Sequence, residues 1–229
     1  MNFITTLKSL ASSGGLDFSL KGLEREALRF TPGAQLAQTP HPAQCGAALT
    51  HKFITTDFSE ALMELVTPTF KKSEDLLNFL SDVHAYIHRV LPDDENLWNA
   101  SMPRVLGDDS EIPIAYYGTS GAADFRTVYR RGLSLRYGKK MQAIAGLHYN
   151  FSPSASFWSN LADLRTEENN VHFRSEVYLD LIRNFHRLNW FTNYLFGASP
   201  VFDESFLTAV NSDGVEKVQD QTYTIKKAV

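Results

Sequence analysis

The stretch "GLEREALRF", residues 22–30, decides how the chain is built. Read as a helix, it puts Leu23, Ala27 and Phe30 on one side; read as a strand, it aligns Glu24, Glu26, Leu28 and Phe30 on one face. Gly and Pro residues on both sides, in "KGLE" and "TPGAQ", mark a short element bounded by turns, which selects the strand. On a strand Glu24 and Glu26 project from the same face about 7 Å apart, given roughly 3.3 Å of rise per residue. Two carboxylates so placed repel unless something positive lies over them. One solution is a divalent cation, and hard oxygen donors suit Mg²⁺ or Mn²⁺. The other is a solvated pair balanced by Arg25 and Arg29, the reading that spacing alone favours.

Further acids shift that balance. Asp57 lies beside Phe58 in a turn, and Glu64 sits inside "LMELV", among apolar neighbours where a carboxylate is usually paired or metal-bound. His148 and Asn150, in "GLHYNF", face the same way on a strand, both polar in an apolar context. Taken singly, His148 reads as a hydrogen-bonded core histidine more often than as a ligand.

Outward from these residues the pattern is mixed. Residues 1–21 read as a short helix or arm broken at Gly14 and Gly15, and 31–47 as a loop rich in Pro, Gly, Gln and Ala. "ALTHKFITTDF" and "ALMELVTP" suggest neighbouring antiparallel strands joined around Asp57 and Ser59, the second with a helical alternative from Ser59 to Val66. "KSEDLLNFLSDVHAYIHRVLP" is a helix: Ser73 can cap it, Glu74 and Asp75 suit its positive end, and Leu76, Leu80, Val83, Ile87 and Val90 recur at helical spacing until Pro92. His84 and His88, one turn apart on it, read as a polar face. A second helix is expected around Phe125 to Tyr137 and a buried strand in "MQAIAGLHYNFS". A third helix is expected from Val171 to Phe196, with Tyr178, Leu181, Ile182, Phe185, Leu188 and Leu195 on one side. Asp180, Arg183, His186 and Arg187 exclude it as a simple membrane span.

Hydrophobic residues make up 43% of the 229, as in a folded soluble protein, and one cysteine, Cys45, excludes an internal disulfide framework. A formal charge of -4 gives no general attraction to nucleic acid or to an anionic membrane, so any anion binding is local. The start of the chain has no sustained apolar run and predicts neither signal peptide nor anchor. A cytoplasmic protein is expected. "FRTVYRRGLSLRYGKK" gathers Arg126, Arg130, Arg131, Arg136, Lys139 and Lys140 with no acid from Phe125 to Ala162, a local field that would hold phosphate or carboxylate. Nucleic acid competes for this stretch, weakened by the acidic total and the lack of a reader motif.

Taken in order, "GLEREALRF", "ALTHKFITTDFSEALMELVTP", "YYGTS", "YRRGLSLRYG", "MQAIAGLHYNFS" and "YLFGASP" resemble glutamate-cysteine ligase of the proteobacterial type, over residues 20 to 206 or thereabouts. The resemblance implies an α+β fold, an antiparallel sheet with helices packed on one face, as part of a glutamine-synthetase-like ligase. It implies a metal-binding set of Glu24, Glu26, Asp57, Glu64 and His148. It further implies that Tyr129, Arg130, Gln142 and Asn150, with Phe58, belong to an amino-acid substrate pocket, Arg130 being the catalytic candidate. The activity implied is ATP-dependent joining of the γ-carboxylate of L-glutamate to L-cysteine, the first step of glutathione synthesis, with Mg²⁺ or Mn²⁺ as cofactor. Nucleic acid and membrane are not expected as partners.

The family chain is more than twice as long. The expectation is therefore a single domain over 1–229, the N-terminal part of a ligase catalytic domain, with a divergent polar tail at 208–229. A fragment, half of a split enzyme served by a second chain, and a noncatalytic ligand-binding relative are the readings that the sequence leaves open. Little turnover is expected of the chain alone.

Overall fold

A computed structural model describes residues 3–12, 19–103, 105–197, 200–207 and 212–226, and among these five α-helices and eight β-strands form. Gly14 and Gly15, expected to break the first helix, lie outside the described residues. In chain order the elements are α1 (Phe3–Ser12), β1 (Leu20–Phe30), β2 (Ile54–Thr56), β3 (Leu62–Val66), α2 (Ser73–Val90) and β4 (Asn96–Leu97). They continue with α3 (Gly121–Tyr137), β5 (Leu147–Ser152), α4 (Ala155–Arg165), α5 (Val171–Phe196), β6 (Val201–Asp203), β7 (Val215–Gln219) and β8 (Thr222–Ile225). Contacts divide them into two units. One comprises Met1–Gly22, Thr69–Asp75 and Asn150–Ala198; the other comprises Leu23–Pro68, Leu76–Tyr149 and Ser199–Val229.

The second unit carries an antiparallel sheet in the order β2-β3-β1-β4, with β5 also paired to β1. Register follows the alternation of the opening stretch: Glu24 faces Val66, Glu26 faces Glu64 and Leu28 faces Leu62. The face bearing Leu28, Phe30 and Leu62 packs with Phe58, Leu106, Ile112 and Phe206 in one core cluster. On the other face Ala27, Met63 and Leu65 meet Ile54 and, from α2, Ile87, with Leu80, Val83 and Val90 partly buried beside them. The helical apolar stripe of α2 thus covers the sheet, each fully enclosed Leu or Ile contributing roughly 1.5–3 kcal/mol. Strand, hairpin partner and covering helix all form as the alternation and the 3.6-residue period require. The protein is an α+β protein with an antiparallel sheet.

Residues 208–229 contain a hairpin: β8 pairs with both β7 and β6 to give a second, three-stranded sheet.

In the first unit α4 and α5 share a core of Trp158, Leu161, Ala162 and Phe173, with Phe157, Val177 and Tyr178 packed on it. Ser154 starts α4 by accepting a hydrogen bond from the Phe157 amide at 3.1 Å, and Thr166 ends it in the left-handed conformation at φ 59°. Asn170 caps α5, accepting from the Phe173 amide at 3.0 Å.

Burial departs from expectation in two places. β5 is a strand, but an exposed one: Leu147, Tyr149 and Phe151 stand open, and 141–143 form a 3-10 turn ahead of it. Leu181, Ile182, Phe185, Leu188 and Leu195, the apolar side of α5, are likewise exposed. Composition measures what a segment would gain from burial, whereas burial itself needs a covering element.

Candidate active site

β1 changes character halfway along one face. Leu28 and Phe30 are core, while Glu26 and Glu24 lie two and four residues before Leu28 on the same side. Antiparallel pairing then sets Glu64 of β3 directly opposite Glu26. Like charges facing each other across a ladder are destabilising, so this register demands a compensating group. Asp57, in the turn after β2, adds its field to both Glu26 and Glu64.

The electrostatics record the conflict. Burial first, and then Asp57, Glu26 and Glu24, push the Glu64 carboxyl up to about 7, against which Arg130 pulls it down. Glu26 is also held above the ordinary carboxylate range, chiefly by burial, although the Gly146 amide donates to its Oε2 at 2.6 Å. His148, on β5, brings Nδ1 to 3.3 Å from Glu24 Oε2 and 3.9 Å from Glu26 Oε1, with its side chain mostly open to solvent. It is thus no core histidine.

The arginines of the same stretch go elsewhere. Arg29 is fully enclosed, its Nη1 2.7 Å from Glu95 Oε2. Arg25 donates to the carbonyls of Glu26 and Asn99, each at 2.6 Å. Arg29 is thus taken by Glu95, and of the two arginines only Arg25 stays in the field of Glu26.

Arg130, on α3, is buried and donates from Nε to the Asp57 carbonyl at 2.5 Å and from Nη1 to the Arg126 carbonyl at 3.2 Å. Among the described residues its Nη2 makes no hydrogen bond, leaving a donor edge for an anion. Phe58 lies within the core at 1% exposure, whereas Tyr129 is open to solvent and Gln142 half-buried in the turn before β5. Asn150 is exposed on β5 and belongs to the first unit, with Glu24, Glu26, Asp57, Glu64, His148 and Arg130 in the second.

The donor set suits a hard cation. Carboxylates supply hard oxygens, the opposed pair stays unfavourable until neutralised, and a histidine nitrogen stands beside it. No three acidic, histidine or cysteine side chains among the described residues already close into a metal-sized cage. Glu26 is buried, and Glu24, Asp57 and Glu64 are half-buried. The sequence pattern pointed to neither of two residues that matter in this region. Gly146, whose amide holds Glu26, carries no side chain to draw attention within "MQAIAGLHYNFS". Tyr117, whose hydroxyl meets the Asp57 turn, stands in "YYGTS", where local pattern suggests only a loop.

Fold and face together define an α+β sheet protein with an acidic face beside the helix that carries Arg130. The glutamate-cysteine ligase family model matches residues 4–229, and the chain belongs to that family. The glutamate-cysteine ligase of Edwardsiella ictaluri (strain 93-146) is 48% identical over 197 residues, 86% of this chain and 38% of that protein. A crystal structure of the Francisella tularensis glutamate-cysteine ligase in complex with AMP superposes with a TM-score of 0.83 at 36% identity, covering 91% of this chain and 41% of that one. A bifunctional glutathione synthetase from Pasteurella multocida gives a TM-score of 0.75 at 33% identity, covering 89% and 26%. The chain thus spans about two fifths of the length of the Edwardsiella ictaluri ligase. Among the described residues no helix is long and apolar enough to cross a membrane.

Proposed function

We propose that this chain supplies the metal-binding face and one wall of the substrate site of an ATP-dependent ligase joining the γ-carboxylate of L-glutamate to the amine of L-cysteine. The observation that carries the reading is the opposition of Glu26 and Glu64 across β1 and β3, with Asp57 beside them. The opposition costs stability unless a proton or a cation neutralises it, and a cation does so above the pH at which Glu64 ionises.

Glu24, Glu26, Asp57, Glu64 and His148 would hold Mg²⁺ or Mn²⁺, which when bound would neutralise phosphate oxygens and orient them. Ligation runs in two stages. The γ-carboxylate oxygen of glutamate attacks the γ-phosphorus of ATP, ADP leaves and an acyl phosphate forms. The cysteine amine then attacks the acyl carbon, phosphate departs and the nitrogen loses its proton. Both stages shift negative charge between oxygens, so positioning and charge stabilisation carry the catalysis. Arg130 would offer its Nη2 donor edge to such an oxygen while its Nε stays on the Asp57 carbonyl. The rigid β1–β3 ladder fixes the spacing of the acids. No covalent enzyme nucleophile is needed, consistent with Cys45 buried and its thiol pushed up by that burial.

Glutamate, cysteine and ATP are the proposed ligands, and the segment spanning the rest of the relatives' length, on the same or a second chain, is the proposed partner. Calorimetry tests the site: residues 1–229 should bind ATP more tightly with Mg²⁺ than without, and Glu24→Gln/Glu26→Gln should abolish the difference. Equal binding in all four combinations would remove the reading. Phosphate release dependent on glutamate and cysteine should appear when the C-terminal remainder of a related ligase is added in trans, with little or none before.

A further inference from the structure

Tyr117 lies outside the proposed metal and substrate set, yet it touches both Arg130 and the Asp57 turn. It is 8% exposed, and its hydroxyl is anchored at the end of β2. The Thr56 hydroxyl donates to it at 3.0 Å, and it faces the Thr56 and Asp57 carbonyl oxygens at 2.7 and 3.1 Å. A phenol has one proton, so those two carbonyls share it. Above its ring lie two guanidinium groups one helical turn apart on α3, Arg126 at 5.1 Å and Arg130 at 4.7 Å from the centroid. Burial pushes the hydroxyl proton's pKa up, which keeps the phenol a donor.

Resting on the proposed metal and phosphate site, we propose that Tyr117 is a positioning residue. It registers the free edge of Arg130 against the Asp57 turn, so that cation and phosphate are recognised together. The ring face offsets the repulsion of two cations spaced four residues apart and holds Arg130 in a single plane. The hydroxyl fixes the backbone from which Asp57 projects. The same Asp57 carbonyl receives Arg130 Nε at 2.5 Å, so hydroxyl, backbone and arginine form one closed unit. Removing the hydroxyl loosens the Asp57 end, and removing the ring releases Arg130 as well. A tyrosine serving only as core, among Ala48, Ala115 and Ala123, would show no such separation.

The experiment compares parent, Tyr117→Phe and Tyr117→Leu forms of residues 1–229. It reads Mn²⁺ binding by electron paramagnetic resonance, Mn²⁺·ATP binding by calorimetry, the Arg130 Nε–H resonance by NMR, and thermal unfolding. Tyr117→Phe is expected to weaken both Mn²⁺ and Mn²⁺·ATP by about tenfold, the range of outer-shell groups, with the Arg130 resonance still ring-shifted. Tyr117→Leu is expected to weaken Mn²⁺·ATP more than Mn²⁺ and to return that resonance to its solvent-exposed position. In an Arg130→Ala background the extra loss in Tyr117→Leu should vanish. Variants that melt earlier but bind both probes as the parent does would overturn the role and leave Tyr117 structural. A parent that binds neither probe would overturn the site itself and this inference with it, an outcome visible before any variant is made.

Discussion

Strand β1 carries charge into the protein on both faces, and the two faces resolve it in opposite ways. Toward the C-terminal end Arg29 meets Glu95 at 2.7 Å with both side chains enclosed. Thr39 completes that arrangement, its hydroxyl accepting from Arg29 at 2.6 Å and donating to Glu95, while its carbonyl accepts a second guanidinium nitrogen. Three residues earlier on the other face, Glu26 lies opposite Glu64 with Asp57 adding a third negative field. One cluster is neutral with its ion pair fully enclosed; the other is acidic, with Glu26 buried and Glu24, Asp57 and Glu64 half-buried. A closed pair serves the fold, whereas charge of one sign gathered on one face costs the free protein stability unless a proton or a ligand neutralises it.

Breaking the closed cluster should have the largest effect. Glu95→Ala leaves Arg29 buried without its carboxylate, and urea unfolding should show a loss of about 3–5 kcal/mol. A loss under about 1 kcal/mol would mean that Arg29 finds water or another acceptor and that the two faces are not so different.

Next comes the acidic cluster probed for function. Glu26→Gln keeps shape and removes charge, so Mn²⁺ affinity should fall about 10- to 100-fold, with the unfolding midpoint held or raised. If affinity held while stability fell, Glu26 would be structural, like Glu95.

Metal-free stability against pH sharpens the comparison further. Glu64 in the folded protein titrates at about 7, above its ordinary 4.5, so between those values the folded state keeps a proton that the unfolded state has given up. Stability should therefore be full below about pH 4.5, decline as pH rises, and reach its lower level above about pH 7. Glu64→Gln should remove that decline, gaining roughly 1–2 kcal/mol at pH 8 after discounting for solvent screening, and almost nothing at pH 4. Equal pH profiles for parent and variant would show that the acids do not conflict.

Gly146→Ala should give the smallest effect. A β-carbon there would stand 3.0 Å from His148 Nε2 and 3.2 Å from Glu26 Oε1, both side-chain ends that can shift slightly. Mn²⁺ affinity should drop about two- to threefold with stability changed by less than about 1 kcal/mol. A loss as large as that of Glu26→Gln would show that the Gly146 amide, and not charge alone, sets the carboxylate's position.

What the sequence could reveal is what repeats locally. The two-residue period of "GLEREALRF", the 3.6-residue period of residues 73–90 and the Pro and Gly boundaries were enough to place β1, α2 and α5, whereas β3 kept a helical alternative. Elements without a local signal were missed. The β7–β8 hairpin turns at Asp220 and Gln221, the latter at φ 57°, and α4 stops at Thr166 at φ 59°; neither turn carries the glycine that usually marks such backbone. Site residues became legible only through several motifs taken together, because a carboxylate's neighbours in space are not its neighbours in sequence.

That is also where tertiary structure took over. Glu24 and Glu26 were determined to share a face by alternation alone, since side chains on a strand must point to opposite sides in turn. Which charge would be neutralised was not. Arg29 is close to Glu26 in the chain, yet it pairs with Glu95, 66 residues away from it, while Glu26 is set against Glu64 by the register of β3. Charges interact through distance and dielectric, and folding fixes both: the interior that encloses Arg29 makes its pair obligatory, and the register of β3 sets Glu64 against a buried Glu26, which raises both carboxyls.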